Sequence, residues 1–492
     1  MIVARRRADL IHRRPPGSLT RPTRARAARR AKLLPLLPRI WYIAPALNVE
    51  HTRILPPAVH SLPEWPRRIL MKILLSTYSC FPGETSEPGN AWRAINEALR
   101  EHEVWAVIAD AHQYRELTEP VLRQHPLPNF HPVFHRLPSA VQWLSKRPAT
   151  ASIYYHLWQE SLRRRVRELH ARVKFDLVHH VTYARYWSPS GLRALDLPFI
   201  WGPVGAAESP PRAFVRELAP RHQATEAVRD GIRHFSERTA SLRETARAAS
   251  LAIGITRESC AALTRLGARR VEQMPQTAIP DARLADFAAL PSLPPGPLRV
   301  LCIGRLLYWK GFYLAIRAFA EFARTSPGAE LWVAGDGPFR AELEQAAART
   351  GLAARIKFLG GLPHTEVMAR LGQSHVLLHP ALHEGFGNVC LEALAAGRPV
   401  ACLDIGGPAT QVTPETGFAA PATNPAEAVT ALAGFLQRLD RDRGLLATMS
   451  TAARARVEQH FTMRVVNARM RDFYAQAVEQ HARRPGRESG RD

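Results

Sequence analysis

From Met71 onward the chain alternates short apolar runs with segments of helical period, and it does so in two successive series. This alternation is the tightest constraint on the fold, because strands separated by helices can be joined only as right-handed crossovers feeding a parallel sheet. In the first series, strands are predicted at Ile73–Ser76, Val104–Ile108, Leu177–Val181, Phe199–Gly202 and Leu251–Ile255, with a helix at Ala91–Arg100. The stretch 285–298, ADFAALPSLPPGPL, is rich in proline and reads as a linker. The second series predicts strands at Arg299–Ile303, Glu330–Ala334, Ile356–Phe358, Val376–His379 and Val400–Leu403. Helices are predicted between them at Gly311–Ala323, Pro338–Thr350 and His364–Gln373. The fold class is therefore α/β, with two tandem Rossmann-like doubly wound domains facing across a cleft. Open sheets of this kind take ligands at the carboxyl ends of their strands.

The segment before Met71 is of another kind. Residues 1–70 hold 15 Lys and Arg against 3 Asp and Glu, half of the chain's formal charge of +24. Their Arg/Pro-rich composition lacks an apolar period, so an upstream disordered extension is expected, with MKILLST at Met71 opening the first domain. The boundaries that follow are 71–290 for the first domain, 291–460 for the second, a helix over 461–480 crossing back to the first domain, and a disordered tail over 481–492. No apolar run of about 18 residues occurs, which excludes a polytopic membrane protein. Five scattered cysteines (Cys80, Cys260, Cys302, Cys390 and Cys402) form no C-x-x-C pair, which argues against a zinc or disulfide framework and fits a reducing, cytoplasmic setting.

The densest chemistry lies in HEGFGNVCLEALAAGRPV from His383. Glu384 and Glu392 flank a small, glycine-bearing stretch, Gly385, Phe386, Gly387 and Asn388, that should open a helix near Asn388. A helix N-terminus suits a phosphate, and the two carboxylates can accept from sugar and ribose hydroxyls. Upstream, GRLLYWKG places Arg305 and Lys310 around a turn after a strand, where a guanidinium and an ammonium can clamp a diphosphate.

Taken together, Gly304-Arg305 with Lys310-Gly311, Gly335-Asp336-Gly337-Pro338, FLGGLPH from Phe358, the E-x7-E of Glu384 and Glu392, and AAGRPV resemble the retaining nucleotide-sugar glycosyltransferases of family 4, glycosyl transferases group 1, with the GT-B fold. The resemblance implies that Arg305 and Lys310 bind the donor diphosphate. It implies that Glu384 contacts the donor sugar together with backbone from Gly385 to Asn388, that Glu392 holds the ribose, and that backbone around Leu362 meets the nucleobase. Gly335 to Pro338 reads as a structural turn. In the first domain FPGETSEPGNAW resembles a loop of one branch of the family, which places Gly89 near the donor phosphates. DLVHHVTYARYW offers a histidine for the reacting centre, His179 or His180. WGPVGAAE resembles another strand-end loop of that branch, with Ala206 standing where the branch has a glycine.

The reaction implied is transfer of a hexosyl group from a nucleotide-diphosphate sugar to a hydroxyl of a glycan or lipid-linked acceptor, with retention, in surface polysaccharide or glycolipid biosynthesis. No cofactor and no metal are expected, since the one D-x-D spacing, Asp440 and Asp442, lies in the charged run LDRDR and reads as an exposed helix. The competing readings are another GT-B enzyme, such as an epimerase or a phosphorylase, and a catalytically silent sugar-nucleotide-binding scaffold. No nucleic-acid partner is expected. An anionic membrane surface is a candidate partner on the inner face of the cytoplasmic membrane. The segment from Ser152 carries a stripe of Leu162, Val166, Leu169 and Val173 among arginines that suits either an interfacial helix or a helix packed on the sheet.

Overall fold

The computed structural model describes residues 71–81, 86–110, 114–147, 150–183, 185–291 and 293–483. The disorder expected of residues 1–70, and most of the tail expected over 481–492, lie outside the described residues. Among the described residues the first sheet has seven parallel strands, β1 (Lys72–Thr77), β2 (Glu103–Ala109), β3 (Phe130–His135), β4 (Leu177–Thr182), β5 (Phe199–Val204), β6 (Leu251–Gly254) and β7 (Val271–Gln273), in the order β3-β2-β1-β4-β5-β6-β7. The second has six, β8 (Arg299–Ile303), β9 (Glu330–Ala334), β10 (Ile356–Gly360), β11 (Val376–His379), β12 (Val400–Leu403) and β13 (Gly417–Ala420), in the order β10-β9-β8-β11-β12-β13. The chain is thus α/β with two doubly wound parallel sheets, the GT-B architecture.

Both faces of each sheet are covered, so successive residues of one strand enter different cores. In β1, Leu74 packs toward Tyr155 and Trp158, whereas Ile73 and Leu75 pack toward Ile95 and Phe473. In the second sheet, Val300 and Cys302 face Phe312 and Phe319, while Leu301 faces Leu391 and Leu394. The strands missed by pattern are β3, β7 and β13, all of them edges. Edge strands lack burial on both faces and carry no continuous apolar run; β3 also contains Pro132, a residue that edges tolerate.

The stretch read as a linker begins in a short helix, Leu284–Ala288, whose Phe287 is buried. The stretch is then fastened to the second domain, where Arg398 donates to the Pro291 carbonyl at 2.7 Å and His375 to that of Pro294 at 2.8 Å. The last helix, Met463–Ala482, returns to the first sheet and buries Val466, Phe473, Tyr474 and Ala477 there. The helix Ala151–Val173 settles the choice left open for its stripe: Leu162, Val166 and Leu169 are buried and Val173 packs against the same core, so this stripe is not a membrane face. Two further helices, Arg212–Glu217 and Pro220–Glu237, follow β5; Phe214 in the first of them is buried in the core of the second sheet.

Candidate active site

The site is built on the loops that leave β8 and β11. After β8 the chain makes a short turn of 3-10 helix, Tyr308–Lys310, and then Gly311 at φ +69° before the helix Phe312–Phe322. Gly311 is required there, since a Cβ would run into the Pro380 carbonyl. The two loops are laced by the backbone, with the Leu382 N–H donating to the Trp309 carbonyl at 2.7 Å. After β11 the chain turns at Gly387, φ +80°, into the helix Asn388–Ala395. A Cβ on Gly387 would press on Pro408 at 3.1 Å and Glu384 at 3.2 Å, so the sharp entry needs glycine.

These loops bring Lys310 and Glu384 together. The Lys310 ammonium forms an ion pair with the Glu384 carboxylate, which also accepts from His379 Nε2 at 3.2 Å. Burial would raise the Glu384 carboxyl, but Lys310 and His379 outweigh it and hold it down to about 2. The sequence reading gave Lys310 to a phosphate and Glu384 to a sugar. In the ligand-free arrangement the two satisfy each other, and a bound diphosphate would have to share the ammonium. Arg305 is exposed and makes no side-chain hydrogen bond or ion pair among the described residues, so its guanidinium is open to a ligand. Glu384 is half-buried and Phe386 buried, while Asn388 at the start of the helix is exposed.

The ribose and base candidates also meet. Glu392 lies one turn into the Asn388–Ala395 helix, and its carboxylate is 3.4 Å from His364 Nε2. His364 opens a helix two residues after Leu362, which packs on the core beneath Glu392. The Gly335–Pro338 segment is a turn that braces the site: the Leu306 N–H donates to the Asp336 carbonyl at 2.9 Å, and Asp336 Oδ1 accepts from Gly337 at 2.7 Å.

The first-domain expectations fare differently. Gly89, expected in a loop, lies in the first turn of the helix Ser86–Ala98. His179 and His180 occupy successive positions of β4 and therefore opposite faces of the sheet. His179 Nε2 donates to the Gly202 carbonyl at 2.7 Å and Nδ1 meets Tyr474 Oη at 3.1 Å; His180 is held by Ser190 at 3.0 Å and Tyr155 at 3.3 Å. Burial pushes His179 down to about 4 and His180 to about 3, so both rings are neutral. In this arrangement every ring nitrogen of the two histidines has a partner within the protein. Ala206 takes φ +68°, the backbone region that a glycine enters freely.

Among the described residues no three His, Cys, Asp or Glu side chains are grouped to hold a metal ion. Asp440 and Asp442 do structural work instead: Asp440 bonds Ser326 and Arg443, and Asp442 caps the helix Arg443–His460. Sequence reading missed His379 beneath Glu384. It also missed the partners of His383, which come from Glu208 and Glu226, 175 and 157 residues away.

Residues 289–456 match the family model described as Glycosyl transferases group 1. This segment belongs to that family. Among curated relatives, 2-deoxystreptamine glucosyltransferase of Streptomyces kanamyceticus is 42% identical over 105 residues, 21% of this chain and 27% of that protein. Glycogen synthase of Mycobacterium tuberculosis is 40% identical over 112 residues, 23% of this chain and 27% of that protein. The chain thus spans about a quarter of the length of these relatives. Among solved structures, sucrose-phosphate synthase from Thermosynechococcus elongatus superposes with a TM-score of 0.54 at 18% identity, over 83% of this chain and 100% of that one. That likeness covers both sheets and concerns the fold.

Proposed function

We propose that the protein is a retaining glycosyltransferase that moves a hexosyl group from a nucleotide-diphosphate sugar to a hydroxyl of a glycan or lipid-linked acceptor, without a metal ion. The observation that carries this reading is the convergence of Lys310 and Glu384 at the strand ends of one sheet, with the exposed Arg305 on one side and the Glu392–His364–Leu362 group on the other. Arg305 and Lys310 supply the positive charge that a departing diphosphate needs. Glu384 accepts from the sugar and Glu392 from the ribose. In the transfer, the acceptor oxygen bonds to the anomeric carbon as the carbon–phosphate oxygen bond breaks. The acceptor proton passes to the leaving phosphate on the same face, which conserves the configuration.

We also propose that the acceptor side rests on an anionic bilayer, through residues other than the stripe first considered. Trp143, Ile153 and Leu157 stand 51%, 54% and 38% exposed on adjoining segments. Arg136, Lys146 and Arg147 are exposed around them, and the Arg147 guanidinium lies 5.7 Å from the Trp143 ring. Aromatic and aliphatic side chains within a basic rim suit an anionic lipid interface.

The test is turnover. The protein is incubated with UDP-, GDP- and ADP-hexoses and a mixed lipid and glycan extract, with and without EDTA. The expected result is release of one nucleotide diphosphate, insensitive to EDTA, with a product whose anomeric proton matches the donor's configuration. Inversion, or loss of release with EDTA, contradicts the mechanism. Binding without turnover favours the silent scaffold.

A further inference from the structure

The helix Pro220–Glu237 follows the fifth strand of the first domain, yet it carries one carboxylate into the donor-site loops of the second. Glu226 is 2% exposed. Its Oε1 accepts from the Tyr308 hydroxyl at 2.7 Å, and its Oε2 lies 2.7 Å from His383 Nε2. Tyr308 stands two residues before Lys310, and His383 immediately precedes Glu384. One side chain therefore grips both loops whose ion pair forms the centre of the site. His222, on the same helix, stacks on the Tyr308 ring with centroids 4.0 Å apart.

The protons support a deliberate grip. His383 Nδ1 lies 3.0 Å from the Glu208 carbonyl, an acceptor that requires a proton on that nitrogen. A ring protonated there alone would leave Nε2 and a carboxylate oxygen 2.7 Å apart with nothing between them. A proton therefore occupies that gap, and the contact is a short hydrogen bond between the ring and the carboxyl. Burying a carboxylate in a seam is costly unless each oxygen is satisfied, and here each oxygen is satisfied by a different loop.

We propose that Glu226 is a positioning residue. Through Tyr308 and His383 it fixes the spacing of Lys310 and Glu384 and so ties the first-domain helix to the geometry of the donor site. The inference rests on the reading of that site as the donor site.

Hydrogen–deuterium exchange of the full chain tests it, comparing wild type with Glu226→Ala and Glu226→Gln. In Glu226→Ala, peptides spanning 305–312 and 381–390 should exchange about tenfold faster, with peptides over β9 and β12 unchanged. Glutamine can still bond Tyr308 and donate to a neutral His383, so Glu226→Gln should stay within about threefold of wild type in both loops. Unchanged loops in Glu226→Ala, or equal acceleration in β9 and β12, would overturn the proposal. Should Glu226→Ala not fold, Tyr308→Phe removes one arm alone. It should loosen 305–312 more than 381–390, and equal effects would count against the two-armed grip. Adding UDP-glucose, GDP-mannose or ADP-glucose to wild type separates the two claims. Protection of both loops that is lost in Glu226→Ala supports them together. Selective loosening in Glu226→Ala with no protection of wild type by any of the three leaves the grip standing and removes the donor reading.

Discussion

The two domains place the side chains singled out for chemistry differently. In the second, the polar side chains singled out for chemistry stand at the strand ends, half-buried or exposed, within reach of one another. In the first, the histidines singled out are sealed inside β4 and fully bonded. The large apolar side chains show the reverse. Leu117, Trp143, Ile153, Leu157, Val228, Phe235 and Val478 are the exposed ones among the described residues, and all belong to the first domain, its appended helices or the final helix. In the first domain Phe235 stands 72% exposed, whereas the exposed side chain singled out in the second is the Arg305 guanidinium.

The sharpest way to break this contrast is inside the ion pair. Lys310→Ala leaves Glu384 without its main partner, and the expected result is a loss of turnover of about 100-fold or more together with ~3 kcal/mol of stability. Arg305→Ala should lose turnover about 10-fold to 100-fold with stability within ~0.5 kcal/mol of wild type, because that side chain makes no hydrogen bond or ion pair among the described residues. Transfer assays and urea unfolding on both variants check the pair; similar stability losses in the two would contradict the assignment.

A pH series sharpens the same point. The Glu384 carboxyl is held at about 2, against an ordinary 4.5. Its contribution is therefore fully present above about pH 5 and fades as the pH falls toward 2, on the order of 3 kcal/mol in all. Glu384→Gln should flatten that part of the stability curve, and an unchanged acid limb would show that the pair does not supply it. For the first domain, changing Trp143, Ile153 and Leu157 to serine should cut cosedimentation with phosphatidylglycerol vesicles several-fold. The same change should leave nucleotide-sugar binding alone. The smallest expected effect is Ala206→Gly, which relieves a left-handed backbone and should stabilise by up to ~1 kcal/mol in thermal unfolding.

The contrast also explains what could be read from sequence. In the second domain β8, β9, β11, β12 and the His364–Gln373 helix lie where the pattern puts them, because central parallel strands are apolar on both faces and their periods are local. The donor-site residues follow those strands at short range, so a strand end and a glycine turn suffice to place Lys310 and Glu384. The edge strands β3, β7 and β13 left no such run, whereas the edge strand β10 was read at Ile356–Phe358. The β4 histidines could not be judged from DLVHHVT, because their partners Tyr474 and Tyr155 belong to helices 295 and 25 residues away. The stripe Leu162, Val166 and Leu169 has the same period whether it meets lipid or a sheet, and only packing decides. Glu226 was illegible for a similar reason: nothing near ATEAVRD signals that its carboxylate meets His383.

The central claim is that the second domain holds a nucleotide-sugar donor through Arg305, Lys310, Glu384 and Glu392. Calorimetric titration of the full chain with UDP-, GDP- and ADP-hexoses in EDTA tests it most directly, with Arg305→Ala and Glu392→Ala as controls. The account predicts that one donor binds wild type in the presence of EDTA and that each variant weakens it about tenfold or more. Equal affinity in both variants, or binding that appears only when a divalent cation is restored, would contradict it.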